Sequence, residues 1–267
     1  MRTGGARTHG PSGDPQVDRA RTEGTTRRRP RWRRGVARPG RATGVWLVVL
    51  VLSGGFGAGV PVWTDARSAA RYPVTAADLA AGRAALAGLP VRAPASSSGY
   101  TREQFGQAWA DVDRNGCDTR NDVLSRDLTG VSFKPGTNDC LVLSGTLADP
   151  YTGTVLDFAR GAGSTAVQID HVVALSAAWR TGAQAWSARR REQLANDPAN
   201  LLAVDGQANQ DKGDGDAATW LPPQHGYRCV YVLRQVRVKA AYGLWVTPAE
   251  RAALDRQLDR CVVVRGP

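Results

Sequence analysis

Histidine, cysteine and methionine are scarce in this chain of 267 residues, which holds three His, four Cys and one Met. So few histidines exclude a His-rich metal protein, and the absence of a C-x-x-C pair argues against a structural zinc site. The sequence also lacks a Gly-rich P-loop and a dinucleotide fingerprint, which argues against a nucleotide-cofactor enzyme. Its one long apolar run, of 17 residues, is too little for a multi-span membrane protein. With 42% hydrophobic residues, the chain can still bury the core of one or two domains.

Positive charge is concentrated at the N-terminus. Residues 1–43 contain 12 Arg and three acidic residues, whereas the rest of the chain contributes only +2 to the net charge of +11. A strongly basic chain would ordinarily suggest nucleic-acid binding, but here the charge precedes an apolar run and resembles a targeting signal. We therefore predict a disordered Arg-rich tail over 1–43 and a near-neutral folded part.

The apolar run, residues 44–60, has the length of a signal-peptide core or a short membrane span. Because arginines precede it, the positive-inside rule keeps the N-terminus in the cytoplasm and exports the rest of the chain. The product is then secreted or, if the run is not cleaved, anchored in the membrane through it. Residues 61–98 combine a short helical stretch with Pro- and Ser-rich sequence and predict a linker, so we expect the folded domain over 99–264.

All four cysteines fall in the exported part, and an even number in an oxidising compartment predicts disulfides. Three pairings are possible, and we favour the one that is local in sequence, Cys117–Cys140 with Cys229–Cys261. Near the C-terminus, apolar spacing predicts a helix over 227–242. Thr247, followed by Pro and then Glu, predicts the capped start of a second helix that runs to Cys261.

The segment that carries chemistry is AVQIDHVVAL, residues 166–175. Its β-branched residues predict a strand, and burying Asp170 and His171 there without partners would be costly, so we expect a metal or a polar site beside them. Further on, Leu201–Val204 predicts a second strand, Asp205-Gly206 a turn, and the stretch from Gln207 a helix that carries Asn209.

These segments resemble the HNH, or His-Me finger, nucleases, and within them the GmrSD C-terminal-domain group, which includes exported actinobacterial proteins. The resemblance spans about residues 99–261 and is carried by five stretches in order: 116–124 (GCDTRNDVL), 168–176 (QIDHVVALS), 200–214 (NLLAVDGQANQDKGD), 217–223 (AATWLPP) and 242–248 (YGLWVTP). It implies an α+β fold with a ββα-metal core, to which helices and two disulfides are added.

The resemblance also implies a role for each matching residue. Asp170 and Asn209 would be ligands of a divalent metal, and His171 would be the general base that takes a proton from the attacking water. Asn200 would orient His171 and stabilise the loop around it. Oxygen ligands favour Mg²⁺ or Mn²⁺ over Zn²⁺, and a neutral histidine is a suitable base near pH 7.

Other polar residues have more than one interpretation. Lys212 is a candidate phosphate contact and Arg120 a candidate substrate contact that faces the active site. Arg189–Arg191 predicts a solvated helix face, with phosphate contact as the alternative. The loop 111–122 partly matches a calcium-binding EF-hand loop, but a structural polar turn is the favoured interpretation. An isolated Asp-His pair would more often be structural, and it is Asn200 and Asn209 that favour a catalytic site.

The sequence therefore predicts an exported, metal-dependent HNH-type endonuclease that cleaves DNA, with RNA as a further candidate substrate and with little sequence specificity. We expect a monomer. The alternative is a non-catalytic extracellular module that kept the fold and binds nucleic acid or a cell-surface polymer. A phosphodiesterase for a smaller substrate, such as a nucleotide, would share the same site.

Overall fold

A computed structural model of the chain describes residues 70–161 and 163–263. The predicted tail over 1–43 and the apolar run over 44–60 lie outside these residues. Within the described ranges, no helix combines the length and apolar character needed to cross a membrane.

The described chain contains both helices and strands and is a mixed α+β protein, as predicted. The strands are β1 (Leu128–Phe133), β2 (Val142–Ala148), β3 (Val155–Ala159), β4 (Val167–His171) and β5 (Leu201–Asp205). The helices are α1 (Ala76–Gly88), α2 (Thr119–Asp127), α3 (Leu175–Arg180), α4 (Ala188–Ala195), α5 (Gly206–Lys212), α6 (Arg228–Tyr242) and α7 (Pro248–Asp259). A short 3₁₀ turn, Arg102–Phe105, precedes α2.

The strands form two antiparallel sheets, of which the smaller one carries the chemistry. One sheet has the order β1-β2-β3, and the other pairs β4 with β5 from Val167 opposite Asp205 to His171 opposite Leu201. The predicted turn at Asp205-Gly206 is absent, because β5 runs directly into α5 and the Asp205 carboxylate caps that helix by accepting from the Ala208 N–H. A side chain at Gly206 would come within 2.3 Å of the Thr165 carbonyl oxygen, so only glycine fits at this junction.

Helix α1 belongs to the hydrophobic core, although its segment, 61–98, was interpreted as a linker. Leu86 is 1% exposed and packs in the same cluster as Leu233 of α6 and Leu254 of α7. Val91 adds a single parallel bridge to Val246. Pro- and Ser-rich composition describes only the last part of this segment, so composition did not reveal that its helix packs on the domain. The domain boundaries themselves stay a prediction.

The predicted disulfide pairing is confirmed. One bridge, Cys117–Cys140, joins the loop before α2 to the chain leading into β2, and the other, Cys229–Cys261, joins the start of α6 to the end of α7. The predicted cap of α7 is also confirmed, because Thr247 and Glu250 form a reciprocal capping box around Pro248. These covalent and local features fix the frame on which the site is built.

Candidate functional site

The Asp170–His171 pair forms the C-terminal end of β4, and the two side chains contact different parts of the fold. Successive residues of a strand point to opposite faces. Asp170 therefore contacts α5, while His171 contacts the C-terminal end of α4. Both side chains belong to buried residues, with 5% and 8% of their surfaces exposed.

The Asp170 carboxylate is held by two hydrogen-bond donors, one on each oxygen. The Tyr151 hydroxyl donates to Oδ2 at 2.5 Å, and the Lys212 ammonium donates to Oδ1 at 2.9 Å. Tyr151 is completely buried, and its burial together with the Asp170 charge raises its pKa well above the usual value, so it remains a phenol that can donate. Sequence reasoning missed Tyr151, which lies between β2 and β3.

Lys212 is enclosed in the protein. Its side chain has no exposed surface, and its ammonium also donates to the His171 carbonyl oxygen at 2.9 Å. In this arrangement the group that was predicted to contact phosphate instead neutralises Asp170 and ties α5 to the end of β4. A direct phosphate contact stays a prediction that would require these bonds to break.

One ring nitrogen of His171 makes a hydrogen bond to the backbone, and the other can act as a base. Its Nε2–H donates to the Ala195 carbonyl oxygen at 2.8 Å, so the lone pair lies on Nδ1. Burial lowers the pKa of His171 to about 4, against the raising effects of the Ala195 bond and the Asp170 charge. The imidazole is therefore neutral near pH 7.

Asn200 stabilises the backbone that follows His171 and does not contact the ring. Its Oδ1 accepts from the Val173 N–H at 2.8 Å, and its Nδ2 donates to the carbonyl oxygens of Val173 and Leu194 at 3.2 and 3.4 Å. Because Leu194 precedes Ala195, these bonds fix both the chain that carries His171 and the carbonyl that orients it. The catalytic role expected of Asn200, to orient His171 and stabilise the loop around it, stays a prediction.

Asp170, His171 and Asn209 line one cavity of about 300 Å³, which we call the polar cavity. The Asn209 Nδ2 donates to Gln168 Oε1 at 2.8 Å, which fixes the amide and leaves its carbonyl oxygen as a potential ligand. Carboxylate and amide oxygens suit Mg²⁺ or Mn²⁺, so the donor set fits such an ion. Among the described residues, no group of three or more His, Cys, Asp or Glu side chains is arranged to hold a metal. Any ion here would thus rely on few protein ligands.

A second cavity, of about 260 Å³, also has His171 in its wall, and we call it the apolar cavity because that wall is mostly apolar. Its lining includes Phe105, Trp109, Leu175 and Ala195, and Arg102 lines both this cavity and the polar one. Sequence reasoning missed Arg102 and Trp109, since no motif marks them and the contacts that place them are distant in sequence.

The remaining predicted polar residues fall into three environments. Arg120 is half-buried with its guanidinium over the Trp109 ring, at 5.9 Å from the centroid, and so lies one side chain away from His171. The solvated face predicted at Arg189–Arg191 is wrong for Arg191, which is buried and donates to the Gln104 and Trp186 carbonyl oxygens. In the loop 111–122, the Asp111 and Asp113 carboxylates accept from the loop's own N–H groups, and the structural polar turn stays a prediction.

Comparison with known proteins places the chain in a family. Residues 118–257, slightly more than half of the chain, match the C-terminal domain of GmrSD restriction endonucleases, and the chain belongs to this family. A protein of the fungus Arthroderma benhamiae described as an uncharacterized secreted protein is 39% identical over 178 residues, which is 66% of this chain and 82% of the relative. No solved structure matches the chain. The family is that of a nuclease, so a nuclease-related hydrolase acting on nucleic acid is the class that the comparisons support.

Proposed function

We propose that the protein is an exported, metal-dependent endonuclease of the HNH type that hydrolyses phosphodiester bonds of DNA, with RNA as a further candidate substrate. The observation that carries the proposal is a buried, neutral His171 that keeps a free ring nitrogen and lines the same cavity as Asp170 and Asn209. Membership of a restriction-endonuclease family supports the same reaction class.

In this proposal His171 is the general base. Its Nδ1 takes a proton from the water that attacks phosphorus, and the Ala195 carbonyl oxygen, which accepts from Nε2–H, stabilises the resulting imidazolium. The pKa of about 4 keeps the base unprotonated near pH 7, so it is available in every molecule. Asn200 is a positioning residue, since it acts on His171 through the backbone of Val173 and Leu194.

Asp170 and Asn209 are the residues that would hold a divalent metal. When bound, Mg²⁺ or Mn²⁺ would stabilise negative charge that develops on the scissile phosphate and the leaving oxygen. Tyr151 and Lys212 hold the Asp170 carboxylate in a fixed orientation, and Gln168 does the same for the Asn209 amide. The succession of β4, β5 and α5, with these residues on the first strand and the helix, supports a ββα-metal core.

We also infer that the folded part works outside the cytoplasm. Two disulfides favour an oxidising compartment, and the Arthroderma benhamiae relative is described as secreted. The Arg-rich tail and apolar run at the N-terminus fit an export signal. Whether that signal is cleaved decides between a secreted and an anchored protein, and N-terminal sequencing of the exported product answers it.

The proposed function is tested by plasmid nicking. The protein, produced through an export pathway so that both disulfides form, is incubated with supercoiled plasmid and Mg²⁺, Mn²⁺ or a chelator. We expect nicking that requires a divalent ion and that is lost in Asp170→Asn. Nicking that persists in the chelator would overturn the metal-dependent mechanism, and no nicking by a folded sample under any condition would overturn the nuclease assignment.

One observation favours a second candidate, a non-catalytic binding module. Both oxygens of Asp170 already accept hydrogen bonds from the protein, as expected of a carboxylate with a structural role. Such a module would bind nucleic acid or a cell-surface polymer without needing a metal. Titration with Mn²⁺, followed by its paramagnetic resonance signal, separates the two candidates. The nuclease requires Mn²⁺ to bind and requires substitution of Asn209 to weaken that binding, whereas the binding module requires neither.

A further inference from the structure

The apolar cavity has no role in the chemistry proposed above, yet His171 forms part of its wall. The cavity opens beside the proposed base, and neither Asp170 nor Asn209 is part of its mostly apolar wall. A planar apolar group attached to the substrate would fill it. In a nucleic acid, that group is a nucleobase.

Trp109 supplies an aromatic surface at this cavity. Its ring is close to parallel with the His171 ring, at 15° between planes and 6.3 Å between centroids, and the Arg120 guanidinium lies over it. Its backbone has φ of 60°, which is unusual for a bulky residue and persists only where the surroundings enforce it. The half-exposed indole lines the cavity and packs against a core cluster of buried residues.

The segment that carries Trp109 is anchored on α4 before any substrate arrives. Arg191 donates to the Gln104 carbonyl oxygen at 2.7 Å, and the Gln107 N–H donates to Glu192. Asn196 accepts from the Ala110 N–H at 3.1 Å and donates to the Gln107 carbonyl oxygen at 3.2 Å. A preformed wall of this kind loses little conformational entropy when a ligand binds.

Arg102 supplies a positive charge at the junction of the two cavities. Its side chain is exposed and lines both cavities, as His171 does, so its charge lies beside the proposed base. A guanidinium suits a phosphate oxygen. The two cavities thus meet at Arg102, His171 and Leu175, as the phosphate and the base of one nucleotide adjoin.

We propose, on the basis of the proposed function, that the apolar cavity binds the nucleobase next to the scissile phosphate by stacking it on Trp109, while Arg102 binds the adjoining phosphate. In a duplex each base is paired and stacked, and it reaches such a cavity only after it has been extruded. A base in a single strand enters without that cost, and stacking on aromatic side chains is the usual way in which proteins hold single strands. The preferred substrate of this site is therefore single-stranded nucleic acid.

The test compares cleavage of one fluorescent oligonucleotide as a single strand and in a duplex. We expect the wild-type protein to cleave the single strand at least tenfold faster. Trp109→Ala should lower kcat/KM on the single strand about 5- to 100-fold, and Trp109→Phe should restore most of it. Trp245→Ala is the matched control, because Trp245 is a half-buried indole under Arg92 that lines neither cavity. Equal rates on both substrates, or equal losses in Trp109→Ala and Trp245→Ala, would overturn the proposal.

A substrate with one abasic position sharpens the test. When the missing base is the one beside the cut, the wild-type protein should cleave this substrate more slowly than the intact one, by the same factor that Trp109→Ala lowers the rate on the intact substrate. The Trp109→Ala protein should cleave the intact and the abasic substrates at the same rate. Independent losses would contradict stacking on Trp109. Binding of the same single strand in a chelator, measured by fluorescence anisotropy, keeps the test separate from catalysis. If no substrate is cleaved, the proposed function fails, but the stacking site fails only if Trp109→Ala leaves this affinity unchanged.

Discussion

Two walls enclose the candidate site, and they are built in opposite ways. The first, which we call the hairpin wall, consists of β4 (167–171), β5 (201–205) and α5 (206–212), lies within the family match, and carries Asp170, His171 and Asn209. The second, which we call the upstream wall, covers 100–110, precedes the family match, and is held on α4 by Arg191 and Asn196. The residues of the proposed chemistry thus lie within the family match, whereas the proposed base-stacking surface is built from residues that precede it.

The largest effect on stability is expected in the hairpin wall at Lys212. Lys212→Met removes the buried cation that pairs with Asp170, and it should lower the free energy of unfolding by about 3–5 kcal/mol because a buried charge is left with only one partner. Urea denaturation in a chelator measures the loss. Lys134→Met, at an exposed lysine, is the control and should change little. A loss below about 1 kcal/mol at Lys212 would show that the pair is not structural.

The acid response of His171 is the next largest effect. Its pKa is about 4 in the folded protein and about 6.5 when unfolded, so the unfolded state binds more protons between these values. The neutral His171 therefore contributes fully to the free energy of unfolding above pH 6.5, and this contribution falls by about 3 kcal/mol as the pH drops to 4. Unfolding of the wild-type protein and of His171→Gln, compared from pH 7 to pH 4, measures it. Parallel curves for the two proteins would contradict a neutral, buried imidazole.

The upstream wall should respond to the loss of its anchor. Arg191→Met removes several charged hydrogen bonds, and we expect a loss of about 2–3 kcal/mol in unfolding free energy. If the wall selects the substrate, KM for a single strand should rise more than kcat falls. Arg189→Met, at the exposed neighbour in the same helix, should leave both properties unchanged. Equal effects of the two substitutions would remove the distinction between the walls.

The smallest effect is expected at Tyr151. Tyr151→Phe keeps the packing but removes the hydroxyl that donates to Asp170, and it should cost about 1–2 kcal/mol in unfolding free energy. The same change should weaken Mn²⁺ binding, because a less constrained carboxylate is a poorer ligand. Thermal unfolding and Mn²⁺ titration check the two outcomes. Unchanged metal affinity would mean that Tyr151 has no part in positioning Asp170.

The sequence predicted the hairpin wall well because its signals are local. Residues with β-branched side chains marked β4, the short apolar run Leu201–Val204 marked β5, and the capping box at Thr247 marked the start of α7. Tyr151 and Arg102 escaped prediction because each reaches the site from a distant part of the chain, and neither belongs to a recognisable motif. Arg191 escaped for a related reason, since an Arg triplet on a short helix gives no sign that one member points inward.

The role of His171 is the central claim, and a single-turnover rate of phosphodiester cleavage at pH 7 tests it most directly. The rate is measured with saturating Mg²⁺ or Mn²⁺ for the wild-type protein and for two histidine variants. His171→Ala should lower it at least about a hundredfold, the usual contribution of a general base, while His225→Ala, outside both cavities, should leave it unchanged. A His171→Ala protein that is folded and cleaves at the wild-type rate would contradict the account.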